Sequence, residues 1–222
     1  LVVFSSDHGE TFGAHAAQCH KGNPEDISVR IPLLMRMPGV LPAGCKSRLL
    51  IGMLDMPSTM MGLMGHGIPP GWQGKDLSSA ILKKDDDAVE SVPIFNFKPS
   101  WRGVYTRRYT FAMENIERTP DMYARFGSDL PDQRKCPQNF NVLYDREEDP
   151  LQLRNLINVT GQLDRIRELT QRTHDWCRRF DDPFLSYKHL IGIVGDGEDK
   201  APVDRIAGAT DEPRPCDKPD AG

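Results

Sequence analysis

Asp7, His8 and Gly9 follow the apolar run LVVF and two serines, and Lys21 stands thirteen positions after His8, ahead of Gly22-Asn23-Pro24. Asp offers a hard oxygen and His a ring nitrogen, so the pair could supply half the shell of a divalent cation. Neighbouring residues of a strand point to opposite faces, so both can reach one ion only where the strand ends and turns. Gly9 makes that turn easy, and open α/β sheets place their ligand crevice at the carboxyl ends of their strands. The same residues have a plainer reading, in which Asp7 caps the next segment and His8 is a loop histidine with satisfied hydrogen bonds. The three residues alone leave both readings open.

The elements around them are legible in outline. LVVF reads as a short strand covered on both faces, and IPLLMRM, closed by Pro38-Gly39, as a second. Asp55 is the expected N-cap of a helix with Pro57 in its first turn and Gly65 or Gly67 at its stop, its methionines packing into a core. A short helix is expected over 77–82. KKDDDA then reads as a solvated turn, with a cation site on its three aspartates as the alternative. WRGVYT and YTFAME, joined by Arg107-Arg108, predict an antiparallel hairpin. An irregular insertion is expected over 117–138 and a strand at NVLYD. Leu163, Ile166, Leu169, Thr173, Trp176 and Phe180 predict an amphipathic helix over 160–181 that covers a sheet. Residues 196–222 are rich in Pro, Gly and Asp and read as a disordered tail.

Composition narrows the function classes. Across 222 residues, 38% are hydrophobic and 27% charged, with 18 Pro and 19 Gly, a globular profile with many loops. The net charge of −4, with basic residues dispersed among acids, lacks the footprint of a nucleic-acid binder. No apolar run approaches the roughly 20 residues of a membrane span. Cys19, Cys45, Cys136, Cys177 and Cys216 form neither a zinc pattern nor an even disulfide framework. Free thiols suit a cytoplasmic setting, whereas Asn158-Val159-Thr160 fits a glycosylation sequon, so cytoplasmic and periplasmic or secreted locations both stay open. Leu1 is not a start methionine, and the natural N-terminus is expected upstream.

Taken together, SSDHGETFGAHA, Lys21-Gly22-Asn23-Pro24 and Ser28-Val29-Arg30-Ile31-Pro32-Leu33 resemble the sulfatase family of the alkaline phosphatase superfamily. That family's pattern is a strand, S/T-D-H/N-G, often G-x-H, a lysine followed by Gly or Asn, a Y-E-E-S-like stretch, and R-V-P-L. Lys21 lies nine positions before Arg30, the separation in the family pattern. Asp55-Met56-Pro57-Ser58-Thr59, Gly74-Lys75-Asp76-Leu77, Trp101-Arg102-Gly103-Val104 with Tyr109, and Leu143-Tyr144-Asp145 with Glu148-Asp149-Pro150 and Asn155-Leu156 continue it in order, to about residue 183. The resemblance implies that Asp7 and His8 are two ligands of a single divalent cation, usually calcium. It places Lys21 on the sulfate oxygens, where a cation stabilises developing charge. It places His15 near the site mouth, in a structural or substrate-binding role. His20 could point inward as well, and Arg30 is expected to anchor its loop to the sheet. Tyr105 stands where many members carry Arg, which predicts a different substrate rim.

The family's nucleophile is a formylglycine made from C/S-x-P-x-R, and none of the five cysteines, nor any Ser-x-Pro-x-Arg, fits that pattern here. The chain is therefore expected to be a C-terminal portion that is inactive alone, since a hydrolase needs its nucleophile within reach of the ester. Residues 1–98 would belong to the α/β catalytic domain, part of a mixed sheet with flanking helices. Residues 99–195 would form a small subdomain, an antiparallel sheet covered by a helix. The implied reaction is hydrolysis of the sulfate monoester of a small molecule or glycan: hydrated formylglycine attacks sulfur while the cation and Lys21 hold the oxygens. The alternatives are a phosphonate or phosphodiester hydrolase of the same superfamily and a non-catalytic fragment.

Overall fold

The computed structural model of the chain describes residues 1–16, 21–96, 101–114, 140–182 and 184. The expected insertion over 117–138 and the tail over 196–222 lie outside the described residues. In chain order the elements are β1 (Val2–Ser5), α1 (Asp26–Val29), β2 (Leu33–Arg36), α2 (Asp55–Leu63), α3 (Ser78–Lys83), β3 (Ser91–Phe95), β4 (Trp101–Thr106), β5 (Tyr109–Glu114), β6 (Val142–Asp145) and α4 (Leu163–Arg179), with 3-10 turns at Ala14–Ala16 and Thr160–Gln162. Among the described residues β1 and β2 form one antiparallel pair, and β3-β4-β5-β6 a second, four-stranded antiparallel sheet.

The larger sheet is the platform of the molecule. Side chains alternate across a strand, and here both faces are apolar. Val104, Phe111, Met113 and Leu143 meet Ile166, Leu169 and Cys177 of α4 on one face. Trp101, Ala112, Val142 and Tyr144 line the other, joined by Ile94 and Phe140. That second face receives Val29 of α1 and, through polar contacts, the segment that follows Lys21. The α4 helix is therefore the predicted amphipathic cover, and the hairpin turns at Arg107-Arg108 as expected. Arg108 grips Asp145 with Nε and Nη2, a bidentate pair that holds this carboxyl below the usual range and ties the hairpin turn to β6.

Several expectations are corrected. LVVF does not form a strand covered on both faces: Val2 and Phe4 are exposed together with Leu34 of β2. A two-stranded ribbon can bury little by itself, and no element among the described residues covers that face. Asp55 is the first residue of α2 rather than its N-cap, and its Oδ1 accepts the Lys75 N–H at 2.8 Å, pinning the loop over 66–76. The three aspartates of the KKDDDA turn are taken by the protein itself. Asp86 accepts from Ser47 Oγ and Leu49 N, Asp87 pairs with Arg107, and Asp85 accepts the Asp87 N–H. Strand β3 begins at Ser91, so the larger sheet starts ahead of residue 99.

At the end of β5, burial pushes the Glu114 carboxyl up to about 7 from 4.5, with a hydrogen bond from the Phe140 backbone opposing it. The folded chain therefore holds a proton that the unfolded chain releases first. This contribution to stability is complete below pH 4.5 and is lost as pH rises through about 7. Denaturant midpoints measured from pH 4.5 to 8 should fall more steeply for the native chain than for Glu114→Gln, which carries no such proton. Parallel curves would refute the assignment.

Candidate active site

Strand β1 delivers the site, and a web of short hydrogen bonds shapes its exit. Ser5 Oγ donates to Pro32 O at 2.8 Å, and Ser6 Oγ to His8 O at 2.7 Å, bending the chain after the strand. The His8 N–H turns back onto Asp7 Oδ1 at 3.1 Å. Gly9 N–H then donates to Ser28 O at 2.8 Å, and a Cβ on Gly9 would lie 2.0 Å from Ile27 O. The glycine of the motif is thus required by backbone-on-backbone packing.

Lys21 arrives from the other side and is fixed through its neighbour. Gly22 has φ +93°, a left-handed conformation that glycine adopts freely. Its N–H donates to Ser28 Oγ at 3.0 Å, and its carbonyl accepts from Trp101 Nε1 at 2.9 Å and Asn96 Nδ2 at 3.1 Å. The lysine side chain reaches back, and Nζ lies 2.8 Å from His8 Nε2. The structure therefore brings Asp7, His8 and Lys21 together although the last two are thirteen positions apart.

The hydrogen-bond inventory sets the His8 tautomer. An ammonium only donates and a carbonyl only accepts. His8 Nε2 must therefore accept from Lys21, and Nδ1 must carry the proton it gives to Gly9 O at 2.7 Å. With its lone pair engaged by Lys21, Nε2 also lies 3.4 Å from Asp7 Oδ2. Two acceptor atoms side by side, neither owning a proton, call for a cation; the Lys21 ammonium fills that role here, and a metal ion would have to displace it from Nε2 to engage both, Asp7 being 83% and His8 36% exposed. A carbonyl fixing one ring nitrogen while the other presents its lone pair is also how metal-binding histidines are usually held. The donor set fits one side of a divalent-cation shell, and no group of three or more His, Cys, Asp or Glu with ligand geometry occurs among the described residues.

The other expected residues fall elsewhere. The His15 ring lies 6.5 Å from that of Tyr144, at φ +58°, and makes no hydrogen bond to His8 or Lys21. His20 lies outside the described residues. Arg30 does not anchor its loop to the sheet: its side chain is 73% exposed and only approaches Asp26, at 3.9 Å. Anchoring falls to the acids instead. Tyr105 Oη donates to Asp26 Oδ2 at 2.9 Å and Tyr144 Oη to Glu25 Oε1 at 3.2 Å, while the Asp26 N–H donates to Gln152 Oε1 at 2.7 Å. Tyr105 is thus engaged internally rather than at a rim. Burial pushes its hydroxyl up to about 12, so it stays a donor to Asp26, and the Arg146 guanidinium lies over its ring at 3.6 Å. Burial likewise pushes the Cys177 thiol up to about 12, which makes it a core residue and no nucleophile.

Ser28, Asn96 and Trp101 are the supporting residues; the sequence places Ser28 and Trp101 in family-like motifs without giving either a role, and passes over Asn96.

The Sulfatase family model matches residues 1–66, the stretch that holds Asp7, His8 and Lys21. An endo-4-O-sulfatase of Bacteroides thetaiotaomicron is 27% identical over 212 residues, covering 86% of this chain and 37% of that protein. An ulvan-active sulfatase of Formosa agariphila is 32% identical over 201 residues, covering 86% of this chain and 35% of that protein. Among solved structures, the Bacteroides fragilis protein yidJ, described as a sulfatase, superposes with a TM-score of 0.66 at 26% identity, over 83% of this chain and 37% of that one. The chain thus spans little more than a third of the length of these relatives. The match to the family model begins at the strand that ends in Asp7-His8-Gly9, and the likeness to these relatives extends over 83–86% of the chain: residues 1–66 match the Sulfatase family, and the chain as a whole is similar to sulfatases and fits the alkaline phosphatase-like superfamily.

Proposed function

We propose that this chain supplies one wall of a sulfate monoester hydrolase site, with a sulfated carbohydrate as its substrate. The observation that carries the reading is the meeting of Asp7, His8 and Lys21 at the carboxyl end of β1. The names of the endo-4-O-sulfatase and ulvan-active sulfatase relatives support the sulfate ester and the carbohydrate.

Asp7 and His8 Nε2 would hold the divalent cation, calcium being favoured by the exposed carboxylate oxygens. When bound, that ion supplies positive charge against the sulfate oxygens. The chain's own part is to present charge and orientation. Lys21 has three N–H donors; the one that His8 Nε2 accepts would be released once a cation takes that lone pair, so that all three could serve sulfate oxygens. Its ammonium need not be reorganised during reaction, because the peptide that follows it is held on both sides by Ser28, Trp101 and Asn96. The formylglycine nucleophile has no precursor motif within these 222 residues and would be supplied by another segment.

The test is turnover by a polypeptide that joins this chain to a formylglycine-bearing segment. Aryl sulfate should be hydrolysed at least about tenfold faster than the matching aryl phosphate or phosphodiester. A reversed ratio would favour the phosphoryl chemistry of the superfamily, and no turnover of either ester would leave the chain a non-catalytic domain.

A further inference from the structure

We infer that Ser28 is a positioning residue that sets the separation of His8 and Lys21. Its importance for catalysis rests on the function proposed above, whereas its geometry stands alone. The peptide after His8 hangs on Ser28 through its carbonyl oxygen, by Gly9 N–H to Ser28 O at 2.8 Å. The peptide after Lys21 hangs on the same residue through its hydroxyl, by Gly22 N–H to Ser28 Oγ at 3.0 Å. One residue, only 3% exposed, therefore clasps both loops immediately beyond their functional side chains.

Ser28 is itself immobile relative to the sheet. It lies on α1, whose first residue, Asp26, is bound by Tyr105 Oη at 2.9 Å and by Gln152 Oε1 at 2.7 Å. The four-stranded sheet thus fixes α1, α1 fixes Ser28, and Ser28 fixes the two peptides. The short helix needs no ligand to explain its place. Its work is to set the 2.8 Å contact between Lys21 Nζ and His8 Nε2. Among the described residues it is the Ser28 hydroxyl that accepts the Gly22 N–H, so position 28 serves this peptide through its side chain.

Amide hydrogen exchange and side-chain NOEs on the full chain, without substrate or cation, test the clasp independently of the sulfate reading. In Ser28→Ala the Gly22 amide should exchange about tenfold faster, while the Gly9 amide, bonded to the backbone of residue 28, changes by less than about twofold. The NOE between the Lys21 Cε protons and the His8 Cε1 proton should vanish. Ser28→Thr, which keeps the hydroxyl, should restore both signals. An unchanged Gly22 amide, or a faster one with the Lys21–His8 NOE intact, would overturn the inference. So would a Ser28→Ala chain whose amides all open together with no rescue by Thr, because Ser28 would then serve the whole fold and not the two peptides.

Discussion

Trp101→Ala should destabilise the chain by about 4 kcal/mol and loosen the Lys21 segment as well. Trp101 is fully buried, and its ring packs on Phe140 at 6.2 Å and among Ile94, Val142 and Tyr144. Removing the indole deletes that contact area and leaves a cavity that a sheet face, held by hydrogen bonds on either side, cannot close. It also removes the Nε1–H that the Gly22 carbonyl accepts at 2.9 Å, leaving Asn96 as the donor to that oxygen. Trp101→Phe separates the two effects. It keeps most of the buried ring and should cost about half as much, yet it loses the same hydrogen bond. Equilibrium unfolding reads the first effect and Gly22 amide exchange the second. If Trp101→Phe left Gly22 as protected as in the native chain, the indole would be a core residue only.

What the sequence allowed, and what it withheld, follows from how far each signal reaches. Elements whose own side chains carry the period were legible: the β4–β5 hairpin, β6 and the α4 helix are where alternation and helical spacing put them. Strand β3 escaped because Pro93 interrupts SVPIF, and proline argues against a strand interior. The sheet order removes the objection. Among the described residues β3 is an edge strand paired with β4, and an edge can lack a ladder donor on its open side. The burial assigned to LVVF failed for a related reason: composition reports that a strand could be covered on both faces and says nothing about what covers it. While the residues alone left a plainer reading open, the meeting of Asp7, His8 and Lys21 was implied by the resemblance to the family pattern. Its means were not, because Ser28, Asn96 and Trp101 act through backbone groups of glycines, and a hydrogen bond from an indole to a carbonyl 79 positions away leaves no local pattern. Arg30 shows the converse. A charged residue inside a recognisable motif was read as an anchor, while the anchoring is done by Asp26 and Glu25 through tyrosines of the sheet.

Lys21→Ala should lower turnover of a sulfate ester by about a hundred- to a thousandfold in a polypeptide that carries this chain with its nucleophile, leaving stability within about 0.5 kcal/mol. The two expectations belong together. The Lys21 ammonium is exposed and its described hydrogen bond goes to His8, so deleting it removes no core packing. What disappears is a preset positive charge beside a lone pair and a carboxylate, where charge gathers as the ester oxygen departs. Lys21→Arg sharpens the assignment. Arginine keeps the charge but replaces a compact ammonium with a planar fork, and the 2.8 Å reach to His8 Nε2 suits a point donor. Turnover should therefore recover only in part, and the loss should fall on kcat more than on KM if the charge acts chiefly in the transition state. Full turnover by Lys21→Ala would remove the residue from the chemistry, whereas a loss confined to KM would make it a binding group with no preference for the transition state. His8 offers the internal control. Lys21→Ala frees its Nε2 lone pair from the ammonium, so an apo chain that binds calcium should do so no more weakly after the substitution, even as turnover collapses.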